Sequence, residues 1–522
     1  MIMKKTKLIC LLLVLVMVLG AFASCTGDGA GDSKDPGDRV DGSWEGVDFD
    51  GQTLVVEVSG AKDPQNTFPA CNIYTRGPDS GTSTDEIQKK VLARNQKVKT
   101  ELNIDVQYKK NSDCTYDTVL AHVEKYVLTS ADDAPDVLDN DLYGLVRAMM
   151  KGYLWNVKDP GTDADGNELK SFLDFGYEGW YEEFMTGASY DANKLYLLAG
   201  DYHIDLVRFA WVFFTNIDKF NAAYGSTDFQ SYDYMVEYII GTGEFLYDDL
   251  MKLAELGWID NGNVRNDTDL GDQIGLCLNN VCPRIFLACS GFSMVEWSGG
   301  SEGKGTPSVC LPTSEAANNL ATLSRNYTTL FNSKGVHYIA EGVLESTTEF
   351  FSGNIIMTMS KLGEMESQDM RETDFKRGIL PFPRYDRNSP NFVTVVHDQA
   401  EISVILSTTN NFTMASAYMQ FLNEESADVL QEYYEKGLKF KYNDSKSVRT
   451  MIDYIKSNIR SPFDAVLVNY ICGESAVKTQ LYETFQSDAT GGKNQFMSTY
   501  TQNQGSYADS LNAILTALAR IE

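Results

Sequence analysis

Pairings of an aromatic ring with a carboxylate or amide recur along the chain. Examples are Asp201-Tyr202-His203, Asn140-Asp141-Leu142-Tyr143, Glu296-Trp297 and Trp180-Tyr181. A Trp or Tyr ring offers a flat apolar face, and the acids and amides accept hydroxyl protons. Together these are the groups that hold a polyhydroxylated ring whose C–H face is apolar. Trp297, in the pair Glu296-Trp297, and Tyr202 are the candidate stacking rings. Asp139 follows the apolar run Val137-Leu138, and Asp201 follows LYLLAG. Ligands of open α/β sheets bind beyond the carboxyl ends of strands, so these two are the candidate hydroxyl acceptors. Groups for bond-making chemistry are missing by contrast. GxSxG, HExxH, a P-loop and a GxGxxG that opens a helix are all absent. The four histidines, His122, His203, His337 and His397, are scattered, and no cysteine pair has zinc spacing. The expectation is a binding protein without a metal or other cofactor, and not an enzyme. A glycosidase-like pair of carboxylates stays open as an alternative, since sequence cannot measure their separation.

The elements that must position these residues alternate. Thr53–Val58 (TLVVEV) reads as a strand, and Asp85–Leu102 as a helix with Ile87, Val91, Val98 and Leu102 on one face. Ser83 and Glu86 fit a capping box for it. Ile104, Val106 and Tyr108 alternate as a second strand. A helix follows around Asp117–Ser130, and then the strand DVLD. The order β, α, β, α, β implies a largely parallel sheet. Further on, Lys194–Leu198, Phe209–Phe214 and Ile402–Leu406 read as strands. Tyr232–Ile240, Leu246–Leu256, Cys282–Ser290 and Ser314–Asn332 read as helices, and Phe350–Ser360 as a helix end turning into a buried strand. After Thr413 the pattern is mainly helical. A chain of 522 residues exceeds one hydrophobic core, so two or three lobes are expected.

The N-terminus carries an address. Lys4, Lys5 and Lys7 precede an apolar run from Leu8 to Ala23, shorter than the roughly 20 residues needed to span a bilayer. It reads as the h-region of an export signal covering residues 1–24. The run ends Ala21-Phe22-Ala23-Ser24-Cys25, which resembles a bacterial lipobox. That resemblance implies cleavage before Cys25, whose sulfur then carries diacylglycerol. Residues 25–47, rich in Gly, Asp and Ser, read as a flexible tether. Lipid anchorage on the extracellular face of the cell membrane is expected. The formal net charge of −29 repels phosphate backbones, so no nucleic-acid partner is expected. Seven cysteines beyond Cys25 are too sparse for a disulfide scaffold and read mostly as small buried apolar residues.

Several segments resemble the extracellular solute-binding proteins, family 1-like, of carbohydrate ABC transporters, in the lipoprotein form of Gram-positive bacteria. VLARNQKVKTELNIDVQY (91–108) resembles the first helix–strand unit of that family. NKLYLLAGD (193–201), EFFSGNIIMTMS (349–360), GILPFP (378–383) and YYEKGLKFKYNDSKSVRTMIDYI (433–455) resemble later units in the same order. The chain departs from the subgroup at Phe245-Leu246 and at Thr215-Asn216-Ile217, which bears on the ligand rather than the fold. The resemblance implies a two-lobed, periplasmic-binding-protein-like fold of type II, with the ligand in a cleft between lobes. It divides the chain into one lobe of 48–160 plus about 333–390 and another of 161–332 plus about 391–522. It also places Ser352, in the FFSGN turn, and Asp398, where the chain re-enters the second lobe, at the cleft. The implied partners are a mono- or oligosaccharide and the membrane permease of an importer whose ATPase is a separate subunit. The protein is expected to act as a monomer. A surface glycoside hydrolase or lyase, or a binder of peptides or another solute, are the alternatives.

Overall fold

Leu54, Val56 and Val58 of Thr53–Ser59 (β1) are fully buried, and the strand takes a parallel neighbour on each side. The neighbours are Asp105–Asn111 (β2) and Val137–Asp141 (β3), with Leu54 opposite Val106 and Val56 opposite Val137. The computed structural model describes residues 36–60, 72–114, 118–129, 133–162, 166–189, 191, 193–262, 271–279, 281–299, 305–339, 343–389, 391–439, 445–460 and 495–519. The signal, Cys25, Cys71 and Cys472 therefore lie outside the described residues.

The helix Glu86–Glu101 covers this sheet with Val91 and Val98. Its N-cap is Asp85, whose carboxylate accepts from the Gln88 amide at 2.9 Å, rather than the expected Ser83. Ser83 instead bonds the Gln88 side chain and accepts from the Asp85 amide. The two tightly spaced caps compete, and the carboxylate adjoining the first turn gains more from the helix dipole.

A second sheet is built from Trp211–Asn216 (β4), Ile274–Asn279 (β5), Val336–Ile339 (β8), Ile355–Lys361 (β9) and Arg377–Leu380 (β10). Its order is β10-β4-β9-β5-β8. Strands β5, β8 and β9 run parallel, and β4 lies antiparallel to both β9 and β10. Every residue of β4, β5 and β9 is buried, the mark of a sheet covered on both faces. At Gly275 a Cβ would fall 2.2 Å from the Ala254 carbonyl, so only glycine lets the helix Tyr247–Gly257 approach this closely. Val295–Ser298 (β6) and Thr306–Val309 (β7) form a separate hairpin.

The chain then returns. Glu401–Ile405 (β11) adds to the first sheet, antiparallel to β3, giving the order β11-β3-β1-β2. This corrects the expected division of the chain. Residues 336–380 belong with β4 and β5, and the strand after 391 belongs with β1–β3. The expectation followed sequence order, whereas strand pairing across hundreds of residues is set by packing. The tether also ends earlier than residue 47. Trp44 packs its ring on Phe172 and Phe421 and donates to Glu424 at 2.7 Å. The Arg39 guanidinium lies 4.1 Å over the same ring, and Val47 is buried. One large aromatic ring is enough to dock the polar segment 36–47.

Two α/β sheets with repeated passages between them give the two-lobed architecture that was expected. The helix Phe412–Glu424 packs on the Glu86–Glu101 helix of the first sheet. Lys446–Ser457 packs on Tyr232–Thr242 and β10 of the second. Phe496–Leu518 touches Leu142–Met150 beside β3 and also β7. Among the described residues, no helix is long and apolar enough to cross a membrane. The five described cysteines are free and buried, as expected of small apolar residues.

Candidate functional site

The carboxyl ends of the two sheets are tied to each other by side chains. Arg284 stands in the helix Cys282–Ser290, just after β5, and its guanidinium lies 2.7 Å from Asp398. The Asp398 carbonyl accepts from the Tyr143 amide, in the helix that follows β3. His397 Nδ1 lies 3.0 Å from the other carboxylate oxygen. Burial would raise the Asp398 pKa, but the Arg284 charge, with His397 beside it, outweighs this and holds the carboxyl well below the usual carboxylate range. Asp398 therefore re-enters the first sheet, not the second lobe, and serves as one half of an ion pair between them.

A second tie lies deeper, where the chain leaves the first sheet. Arg208 is fully buried and bonds Asp205 at 3.1 Å and Glu366 at 2.9 Å. Glu366 follows β9 and also accepts from Tyr433 at 2.7 Å. Glu401 and His203 complete this cluster, with His203 Nε2 3.6 Å from Glu401. Burial, with Asp205 and Asp139 nearby, raises the Glu401 pKa well above its ordinary value. Burial lowers His203 and His397.

The sign of the pH dependence follows. A raised carboxyl keeps its proton in the folded chain, so stability declines as pH rises from about 4.5 through the folded-state value of Glu401. The two depressed histidines act on the other side. Their stability is present above about 6.5 and is lost as pH falls toward their lowered values. Glu401→Gln should gain on the wild type as pH increases above 5. Melting temperatures of both proteins across pH 5 to 8 check this; parallel curves would refute it.

The expected site residues separate into two groups. Asp139 is buried inside β3 and bonds the Ser403 hydroxyl of β11, so it braces the sheet. Tyr202 is 1% exposed and donates to the Leu198 carbonyl at 2.6 Å, leaving no face for a ligand. Trp297 lies in the β6–β7 hairpin, partly buried against the core. Ser352 is exposed and bonds the Glu349 carbonyl at 2.7 Å. It precedes the amino end of β9, at the opposite end of the strand from Lys361, beyond which Glu366 bonds Arg208. The physical reason is strand direction: β9 begins after the FFSGN turn, so the turn faces away.

Asp201 alone of these lines a described pocket, of about 370 Å³. Trp180, Tyr181, Asp453 and Lys456 line it with Asp201, and Glu178, Glu182 and Glu183 form its acidic part. Local sequence explains the wall. Leu198 and Ser403 exchange backbone bonds, so the LYLLAG segment runs beside β11. The Tyr181 amide bonds the Ala199 carbonyl at 3.0 Å, and the Asp201 amide bonds the Gly179 carbonyl at 2.8 Å. Gly200 makes this possible, because a Cβ there would meet Asn423 at 2.4 Å and Trp180 at 2.9 Å. Trp180 is itself mostly buried and donates to Gln420 at 2.9 Å, whereas Tyr181 is half-buried.

The facing wall is the helix Lys446–Ser457. Val448, Met451, Ile452 and Ile455 bury one face, which turns Asp453 and Lys456 outward. Lys456 Nζ lies 3.2 Å from Asp201. Burial raises the Asp201 pKa, and Lys456 and Tyr181 partly offset this. Sequence reasoning named Trp180-Tyr181 as a pair but missed Asp453 and Lys456. The amphipathic pattern could have shown that they face outward, not what they face. Among the described residues, no group of three His, Cys, Asp or Glu side chains is placed to hold a metal ion.

The fold and this site define a two-lobed α/β protein with a polar, aromatic-walled pocket between parts of both lobes. No family model matches the chain, and no curated protein matches it. Solved structures do resemble it. One is the GacH receptor of Streptomyces glaucescens, described unliganded and in complex with acarbose, at 14% identity and TM-score 0.49, over 89% of this chain and 98% of that one. Another is a cyclo/maltodextrin-binding protein complexed with maltotetraose, at 13% identity and TM-score 0.49, over 90% and 96%. A third is a family 1 extracellular solute-binding protein from Bifidobacterium longum subsp. infantis, at 13% identity and TM-score 0.47, over 90% and 99%.

Proposed function

We propose that this chain is a lipid-anchored extracellular solute-binding protein that captures a mono- or oligosaccharide and delivers it to the permease of an ABC importer. The observation that carries the reading is the pocket's divided ownership. Trp180, Tyr181 and Asp201 belong to a segment running beside β11 of the first sheet. Asp453 and Lys456 belong to a helix packed on the second. A solute touching both walls favours the state that brings them together, which is how ligand binding shifts a two-lobed protein toward closure. Tyr181 supplies a stacking face, and Asp201 and Asp453 supply acceptors for hydroxyls. The apolar N-terminal run ending at Cys25 supplies export and attachment. Capture leaves the covalent bonds of the solute unchanged.

A thermal-shift panel of mono- and oligosaccharides on the full chain tests this. A ligand present at 100 times its dissociation constant should stabilise the protein by about 2.7 kcal/mol. The saccharide should be recovered intact, and Tyr181→Ala should lower its affinity by about 1–2 kcal/mol through lost stacking. A panel with no stabilising saccharide, or release of new reducing ends, would refute the reading.

A further inference from the structure

The saccharide reading leaves one property of the pocket unexplained. Neutral hydroxyls need a few acceptors, yet five carboxylates line this pocket, Glu178, Glu182, Glu183, Asp201 and Asp453, and of these Glu183 is paired with Arg460. Lys456 is the basic residue in the lining, and its placement is specific. Its ammonium lies 3.2 Å from Asp201, 5.9 Å from the Tyr181 ring centre and 5.2 Å from that of Tyr434. Two aromatic faces and a carboxylate around one ammonium form a cation-binding cage. Here the cage is filled by the protein's own side chain, which retains 29% of its exposure and reaches in on a flexible stem.

Resting on the saccharide reading, we propose that the solute carries a free, protonated amine, and that Lys456 holds that amine's place until it arrives. An amino sugar fits both halves of the site. Its ring stacks on Tyr181 and its ammonium takes the Asp201 carboxylate, while Lys456 swings toward the acidic rim at Glu178 and Glu182. Removing Lys456 then removes a competitor, so the lysine acts against binding.

Calorimetric titration of the full chain at neutral pH tests this with three disaccharides of one linkage: a glucosamine dimer, its N-acetylated form and the neutral glucose dimer. The glucosamine dimer should bind about 10-fold tighter than the other two. Lys456→Met should tighten it about 10-fold further with little change for the neutral sugar, and Asp201→Asn should erase the preference. On the wild type, added salt should weaken the glucosamine dimer and spare the glucose dimer, a readout that needs no variant. If neutral sugars bind and the amine gives no advantage, or if Lys456→Met weakens the amine, the proposal falls and saccharide capture stands. If no saccharide of a broad panel binds either protein, capture itself falls.

Discussion

Replacing Arg208 by alanine should remove about 3–5 kcal/mol of stability. The side chain is fully buried and its guanidinium serves two carboxylates at once. Nη1 donates to Asp205 at 3.1 Å, Nε donates to Glu366 at 2.9 Å, and Nη2 reaches the same carboxylate at 3.3 Å. It also lies 5.3 Å from the Tyr74 ring centre. Asp205 is 1% exposed, so losing the arginine leaves an uncompensated carboxylate in a low-dielectric interior. The loss should exceed that from Glu366→Gln, which keeps the Asp205 bond and a neutral acceptor. Adding Glu366→Gln to Arg208→Ala should recover part of the loss, because one of the stranded charges disappears. Denaturant titration of the wild type and the three variants measures this. A loss below about 1 kcal/mol for Arg208→Ala would show the cluster to be no better than a surface pair.

The second large effect concerns retention rather than folding. Under the lipid anchorage proposed above, Cys25→Ala should release nearly all of the protein that is cut from its N-terminal apolar run into the medium, with its melting temperature unchanged once purified. Each buried methylene of an acyl chain contributes about 0.8 kcal/mol, and two chains on one residue hold a protein stably where one does not. Among the described residues no helix is long and apolar enough to cross a membrane. Cell fractionation with immunodetection reads the outcome. Retention of the variant at the membrane would mean that another contact anchors it.

Much of the first sheet was legible because its signals are local. The β-branched run at Thr53, the spaced apolar residues of Glu86–Glu101 and the DVL run each announce an element within a few residues. Membership of a sheet is another matter. Nothing near Ile402 says that it pairs with Asn140, and nothing near Ile355 says that it pairs with Ile274. The site suffered in the same way. Asp201, which lines the pocket, could be singled out because it ends an apolar run, whereas Lys456 lies 255 positions later on a helix that reads as an ordinary amphipathic surface. Tyr202 misled because its sequence neighbours are polar, yet the bridge between Leu198 and Ser403 turns its ring inward. Ser352 misled because the turn was identified correctly but the direction of the strand after it was not.

Strand β11 carries a consequence for biogenesis. It completes the first sheet by pairing with β3, and the bond between Ser403 and Asp139 joins residues 264 positions apart. A nascent chain that has delivered β1, β2 and β3 still has an uncovered edge, and it stays so until the whole second sheet has been synthesised. Such long-range closure makes folding slow. Under the export proposed above, the delay is an asset: it keeps the first lobe from locking before the chain has crossed the membrane.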